Sequence, residues 1–122
     1  MKLDLDKTGS NLIRSFAGGR IHVGSDSFSA PVIITAERII ADWHPPAPER
    51  LSLQDLQPVL DLQPEVILLG TGSRQCFPPM TLTTAILHLG VGLEVMTTAA
   101  ACRTYNVLAA EFRRVAAALF VD

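Results

Sequence analysis

Short apolar runs separated by turn-forming residues characterise the first third of the chain. RIHV (20–23) alternates apolar with polar residues after two glycines, and PVIITA (31–36) is β-branched and almost continuously apolar. Alternation is typical of a strand with one buried face, and a continuous apolar run is typical of a strand covered on both faces. With IIADW (39–43) following at once, this part predicts β structure that includes a hairpin.

The middle of the chain changes to a proline-rich pattern. HPPAPER (44–50) predicts a stiff loop. Ser52 with Asp55 resembles a helix-start signal, because such side chains accept hydrogen bonds from free amides at a helix start. Pro58 cannot donate the amide hydrogen bond that a helix interior needs. The pattern therefore predicts a helix that is short, kinked or late in starting.

The second half alternates between strand and helix patterns. EVILLG (65–70) and LEVM (93–96) have the composition of buried strands. Between them, residues 81–89 carry apolar residues at helical spacing, namely Leu82, Ala85, Ile86 and Leu89. A strand, a crossover and a second strand in one sheet run parallel in nearly all cases.

A long amphipathic helix is predicted from about Ala99 onwards, with Thr97 or Thr98 as its N-cap. Its apolar residues are spaced by three and four: Tyr105, Leu108, Phe112, Val115 and Leu119. We therefore predict an α/β fold for a single domain (1–122), with a C-terminal βαβα unit and extra N-terminal β-hairpin structure. No linker or repeat divides the chain.

Composition limits the classes of partner. Hydrophobic residues make up 48 %, charged residues 18 %, and the net charge is −2. Without a basic stripe we expect no nucleic-acid binding, and without an apolar run of about 20 residues we expect no integral membrane protein. The start, MKLDLDKTGSN (1–11), has the pattern of neither a signal peptide nor a mitochondrial presequence. Two separated cysteines favour a reduced, cytoplasmic setting without structural zinc.

The loop that follows the strand 65–70 carries the densest group of candidate residues. In a parallel pair it lies beside the residues that follow the strand 93–96, at the sheet edge where open α/β sheets bind ligands. Glycines permit close approach of the backbone, hydroxyl and guanidinium groups bind anions, and a helix start offers free amides. The candidate cleft consists of Gly70, Thr71, Gly72, Ser73, Arg74, Thr97, Thr98, Arg103 and Asn106.

The same loop matches no complete catalytic or nucleotide-binding motif. GTGSRQ (70–75) lacks the third glycine of the dinucleotide fingerprint, and neither a P-loop nor a G-x-S-x-G elbow is present. We therefore assign no catalytic residue, no metal ligand and no cofactor. Cys76 beside Arg74 is the least improbable nucleophile, although most intracellular cysteines are inert small apolar residues.

Structural interpretations of these residues stay open. Gly70 and Gly72 suit a tight turn that leaves a buried strand, without any ligand. Arg103, Asn106 and Glu111 are equally suited to satisfying buried backbone groups where the loop and the helix pack. Unpaired buried polar groups cost about 1–3 kcal/mol each.

Two segments resemble a known family. These are EVILLGTGSRQCFPP (65–79) and VGLEVMTTAAACRTYNVLAAEFRRVAAALF (91–120). They are similar to a family of small single-domain proteins that includes the third assembly factor of the alpha subcomplex of mitochondrial respiratory complex I. The resemblance rests on Gly70, Gly72, Pro78, Thr97, Arg103, Thr104, Tyr105, Asn106, Glu111 and Arg113.

The resemblance implies a three-layered fold around a mixed sheet and brings no established catalytic activity. Two hypotheses follow. The first is a cytoplasmic, non-enzymatic binding or assembly-assisting protein, whose partner is a membrane-enzyme subunit or an insertion factor. The second is an enzyme that binds a small molecule or anion in the candidate cleft, where Arg74 and Arg103 hold a negative group.

Overall fold

The computed structural model describes residues 10–122, so the expectation for the first eleven residues falls almost entirely outside the described part. The N-terminal β structure is confirmed as a three-stranded antiparallel sheet in the order β1-β2-β3. Its strands are β1 (Ile13–Ala17), β2 (Arg20–Val23) and β3 (Asp26–Phe28).

A second, five-stranded sheet forms the centre of the molecule. Its strands are β4 (Val32–Ile34), β5 (Ile39–Ile40), β6 (Val66–Thr71), β7 (Gly92–Met96) and β8 (Val115–Phe120). They lie in the order β5-β4-β8-β6-β7. β6 pairs in parallel with both β7 and β8, whereas β4 pairs antiparallel with β5 and β8. The predicted mixed sheet and its parallel β6–β7 pair are confirmed.

The middle of the chain forms short helical turns, as the position of Pro58 predicts. Two 3-10 turns, Pro48–Arg50 and Gln54–Leu56, lead into the four-residue helix α1 (Gln57–Leu60). Pro58 lies in the first turn of α1, where its missing amide costs nothing. The Trp43 indole is buried and donates to the carbonyl of Asp55 at 3.0 Å. This bond fixes the loop to the core.

Two longer helices complete three layers. α2 (Met80–His88) and α1 cover one face of the central sheet, whereas α3 (Thr98–Ala110) and the small sheet cover the other. The two faces of the central sheet have separate hydrophobic cores, and alternate residues of β6 belong to each. Val66 and Leu68 pack with α3, whereas Ile67 and Leu69 pack with α2. The three-layer α/β fold implied by the resemblance is confirmed.

The prediction of a helix reaching Leu119 is wrong. α3 ends at Ala110, and the amides of Phe112 and Arg113 bond back to Ala109 and Leu108. Phe112 adopts φ 60°, which turns the chain out of the helix. Residues 115–120 then become β8, so that the βαβα unit is extended to βαβαβ. Arg113 and Arg114 lie in the turn that connects α3 to β8.

Candidate functional site

The glycine loop, which we define as residues 70–75 at the end of β6, and the start of α3 are neighbours, as predicted. The amide of Thr98 donates to the carbonyl of Gly72 at 2.9 Å, and the amide of Gly72 donates to Thr98 Oγ1 at 2.8 Å. The parallel register, which places Gly70 opposite Met96, brings the two strand ends to the same edge. The adjacency on which the candidate cleft depends is therefore present.

Both glycines are needed for packing at this edge. A Cβ on Gly70 would lie 2.9 Å from Leu119 Cδ2 and 3.0 Å from Thr98 Cα. Gly72 has φ +94°, a conformation that side chains strongly disfavour. The close approach predicted for a ligand is made here by the protein's own helix and strand.

A carboxylate of the chain itself occupies the loop. Asp122 accepts hydrogen bonds from the Ser73 amide at 2.9 Å and from the Ser73 hydroxyl at 3.0 Å. A Cβ on Gly72 would lie 2.8 Å from the same carboxylate. Sequence reasoning missed Asp122, because its position follows only from the strand β8 that the helix prediction replaced.

The threonine hydroxyls tie strand ends together. Thr71 Oγ1 donates to the carbonyl of Arg74 at 2.6 Å and accepts from the amide of Cys76 at 3.0 Å. Thr98 is fully buried and donates to the carbonyl of Phe120 at 2.6 Å. Thr97 accepts from the amide of Ala100, which confirms its predicted N-cap role.

Arg103 and Asn106 face a different part of the molecule. Both line a cavity of about 150 Å³ whose opposite wall is β1, and the glycine loop does not contribute to it. Asn106 bonds the main chain of Ile13 through both its amide oxygen and its amide nitrogen. This is the backbone-satisfying role left open for Asn106. Arg74 and Arg103 are both exposed, on the loop and on α3 respectively.

The neighbouring residues of α3 are buried and weakly acidic. Tyr105 is fully buried and its hydroxyl donates to the carbonyl of Asn11 at 2.6 Å, while burial raises its pKa. Burial also raises the pKa of the Cys102 thiol to about 11, against a smaller lowering effect of Arg103. A thiol that stays protonated at neutral pH is a poor nucleophile. Cys102 therefore serves packing in the core between α3 and the central sheet.

A cavity of about 330 Å³ lies at the opposite end of the sheet, beside the turn from α3 to β8. Phe112, Arg113 and Arg114 contribute to its wall. The Glu65 carboxylate accepts from the Arg114 amide at 2.9 Å and from Arg113 Nε at 3.2 Å. The first of these bonds and then the second hold the pKa of Glu65 below its ordinary value. Apart from Arg113, which is among the residues of the family resemblance, no sequence signal distinguished this region.

The segment 77–89 exposes large apolar side chains. We name this set the α2 surface: Phe77 is 66 % exposed, Met80 74 %, Leu87 69 % and Leu89 56 %. Leu89, which shares the predicted helical spacing of Leu82, Ala85 and Ile86, follows the end of α2 at His88 and is exposed, whereas Leu82 and Ile86 are buried. The α2 surface itself was missed, since it shares its composition with the core.

Most of the chain matches a known protein family. A family described as "Protein of unknown function (DUF498/DUF598)" matches residues 13–120. The chain belongs to this family. The matched range runs from β1 through β8, so membership covers both sheets and all three helices of the described residues.

Members and relatives carry different names. The chain is 29 % identical over 104 residues to the "13 kDa major membrane protein" of Francisella tularensis, which covers 84 % of each. It is 28 % identical over 120 residues to the "NADH dehydrogenase [ubiquinone] 1 alpha subcomplex assembly factor 3" of Xenopus tropicalis. That match covers 97 % of this chain but only 65 % of the longer relative. The relationship to complex I assembly factors that the sequence predicts is thus confirmed at low identity.

A solved structure agrees with the fold. The solution structure of a Bordetella pertussis protein, described as a Mth938-like domain, is 33 % identical to this chain with a TM-score of 0.80. The match covers 98 % of this chain and 92 % of that one. Within residues 10–122, none of the helices combines the length and the apolar character that crossing a bilayer requires.

Proposed function

We propose that this chain is a non-enzymatic protein-binding module that assists the assembly of a larger complex through its α2 surface. The observation that carries the proposal is that Phe77, Met80, Leu87 and Leu89 are each more than half exposed within 13 consecutive residues. Single exposed apolar residues are ordinary, but an extended apolar patch marks an interaction site.

The geometry of α2 places two of these exposed residues on one face. Met80 and Leu87 are seven residues apart, which places them on one face of the helix, about two turns from each other. Thr84 lies between them on this face, and its side chain is short and uncharged. Aromatic residues and methionine are enriched at the centres of protein interfaces, where they fill pockets of the partner.

The kind of partner is proposed from the relatives. The Xenopus relative is named as an assembly factor of NADH dehydrogenase, and a membrane-enzyme subunit or an insertion factor is accordingly the partner we propose. The cytoplasmic location predicted by the composition belongs to the same proposal. Such a protein would shield apolar surface of a subunit before that subunit is incorporated.

Affinity capture with a matched pair of variants tests the proposal. Met80→Ser with Leu87→Ser removes the centre of the α2 surface, whereas Val107→Ser, at an exposed position of α3, removes apolar surface elsewhere. A captured protein supports the proposal if, once purified, it binds wild type and the Val107→Ser variant equally. Its binding to the α2 double variant should be weaker by about tenfold or more. Equal binding to all three proteins would contradict the proposal.

A second candidate is an enzyme or binding protein for a small anion at the candidate cleft. It is supported by the Ser73 amide and hydroxyl, which already hold the Asp122 carboxylate. An external anion would have to replace this carboxylate, with Arg74 close by in sequence. Cleft residues Gly70–Arg74, Thr97 and Thr98 belong to this candidate, while Arg103 and Asn106 lie against β1.

Thermal unfolding with inorganic phosphate tests this second candidate. Asp122→Asn removes the competing charge, and phosphate should then stabilise the variant by about 2.7 kcal/mol at 100 times its dissociation constant. Adding Arg74→Ala should abolish the effect. No stabilisation of either wild type or Asp122→Asn would remove this candidate.

A further inference from the structure

β7 lies at the edge of the central sheet, and its outward backbone groups can be identified. The amide of Gly92 donates to the carbonyl of Glu65, beside β6. In a parallel pair, residues alternate between bonding the neighbouring strand and pointing away from it. Gly92, Glu94 and Met96 therefore bond β6, whereas the amides and carbonyls of Leu93 and Val95 point away from the sheet.

Most of these outward groups have no hydrogen-bond partner in the described part of the chain. The carbonyl of Val95 accepts a hydrogen bond from Gln75 Nε2 at 2.9 Å. The amide and carbonyl of Leu93 and the amide of Val95 make no hydrogen bond with any of residues 10–122. An edge strand with unpaired backbone groups is a template for another strand, and proteins protect such edges with charged residues or by covering them. Here the Gln75 side chain satisfies one of the four outward backbone groups of Leu93 and Val95.

Glu94 decides which kind of strand fits. Its side chain is exposed and makes no ion pair or hydrogen bond within the described part of the chain. Two copies of β7 paired antiparallel through both Leu93 and Val95 would place Glu94 directly opposite Glu94. Like charges facing each other across a strand pair are destabilising. The edge therefore disfavours a second copy in that register and favours a basic residue opposite Glu94.

We propose that β7 accepts an extended segment of the partner protein with the pattern apolar, Lys or Arg, apolar. This inference rests on the proposed protein-binding function and adds the chemistry of the bound segment. The basic residue lies opposite Glu94. The two apolar residues lie opposite Leu93 and Val95, on the face where these side chains pack with the core beneath α2. Added strands of this kind gain affinity from main-chain hydrogen bonds and specificity from alternate side chains.

The α2 surface lies on the same side of the sheet as these apolar positions. Leu93 and Val95 pack against the cluster that contains Leu82 and Ile86 of α2. A segment added at β7 would therefore extend this apolar layer beyond the edge of the sheet. The apolar positions of β7 and the α2 surface then lie on the same side of the central sheet, where one partner can contact both.

An NMR titration with synthetic peptides tests the inference on the intact chain. The probe is blocked Thr-Val-Lys-Val-Thr, and the controls are the same peptide with Glu in place of Lys and the Lys peptide N-methylated on alternate amides. The Lys peptide should produce saturable shifts of the Leu93 and Val95 amides. The Glu peptide should bind about 2- to 30-fold more weakly, and the N-methylated peptide should not bind.

A charge-reversed variant distinguishes the inference from the proposed function. Glu94→Lys should exchange the preference of the two peptides without affecting the fold, because residue 94 is exposed. Absent shifts at residues 93 and 95, or equal binding of the Lys and Glu peptides, would overturn the inference. So would concentration-dependent shifts without peptide, which would indicate a second copy. Partner binding that depends on Met80 and Leu87 but is unchanged by Glu94→Lys would leave the proposed function intact while rejecting the inference.

Discussion

Asn106 binds the main chain of Ile13 as a neighbouring strand would. Its Oδ1 accepts from the Ile13 amide at 2.9 Å, and its Nδ2 donates to the Ile13 carbonyl at 2.7 Å. The residues lie 93 positions apart in the sequence. One side chain on α3 thus connects the small N-terminal sheet to the helix beside it, within the layer that covers one face of the central sheet.

Replacing Asn106 by Ala should destabilise the protein by about 1–3 kcal/mol, because two partly buried backbone groups of Ile13 lose their partner. Chemical unfolding measures the change, and hydrogen exchange should show the largest loss of protection in β1 and β2. Val107→Ala, at the next and exposed position, is the control and should change little. An Asn106→Ala protein as stable as the control would contradict the bridging role.

Gly70→Ala and Gly92→Ala should have opposite consequences although both lie in strands. The new Cβ at position 70 would be 2.9–3.0 Å from Leu119 and Thr98, and such overpacking costs about 1–3 kcal/mol. At position 92 the nearest atom is Val66 Cγ2 at 3.4 Å, so the reduced entropy of the unfolded chain should leave stability unchanged or slightly higher. Thermal unfolding compares the two, and equal effects would refute this explanation of Gly70.

Phe112→Gly should stabilise the protein. Phe112 has φ 60° and is 94 % exposed. Its left-handed backbone conformation therefore costs free energy that no buried contact of the phenyl ring offsets. Relief of about 1–2 kcal/mol, less the entropy cost of glycine, leaves about 0.5–1 kcal/mol. Ala110→Gly, at the end of α3, should instead destabilise. If calorimetry shows both variants losing stability, the phenyl ring makes a stabilising contact that its exposure does not reveal.

Glu65 should make the stability dependent on acid. Its pKa lies below the ordinary 4.5 in the folded state, first because of the Arg114 amide and then because of Arg113. Its stabilising contribution is therefore present above about pH 4.5 and is lost as the pH falls through the folded-state pKa. Urea unfolding of wild type and Glu65→Gln should differ above about pH 4.5 and converge in stronger acid.

Arg113→Gln offers a control for the same carboxylate. It removes the hydrogen bond and the charge of Arg113 but leaves the Arg114 amide, the largest cause, in place, so much of the acid dependence should remain. A constant difference between wild type and Glu65→Gln across the whole pH range would show that titration of Glu65 is not responsible.

The strands and their parallel pairing were predictable because their patterns are local. The segment 115–120 was not, because VAAALF continues the apolar spacing of α3 and is rich in the best helix former. A short apolar run in a buried strand cannot be distinguished by periodicity from a buried helical segment. The tertiary structure decides: Ala116, Ala117 and Ala118 are fully buried between the two helical layers, where small side chains permit close packing.

The candidate site was predictable in part for the same reason. Adjacency of the glycine loop and Thr98 followed from parallel pairing of two strands. Occupation of that loop by Asp122, and the contact of Asn106 with Ile13, depend on elements distant in sequence. The exposed side of α2 could not be separated from the core by composition alone. These features required the three-dimensional arrangement.

The central position of β8 has a consequence for how the protein is made. β8 joins β4 to β6, so the two halves of the sheet share no strand pairing until residues 115–120 are available. A nascent chain on the ribosome would therefore carry β4 and β6 with unsatisfied edges until residues 115–120 have been translated. Chaperone dependence during synthesis, and loss of the whole fold on deletion of residues 115–120, are the expected results.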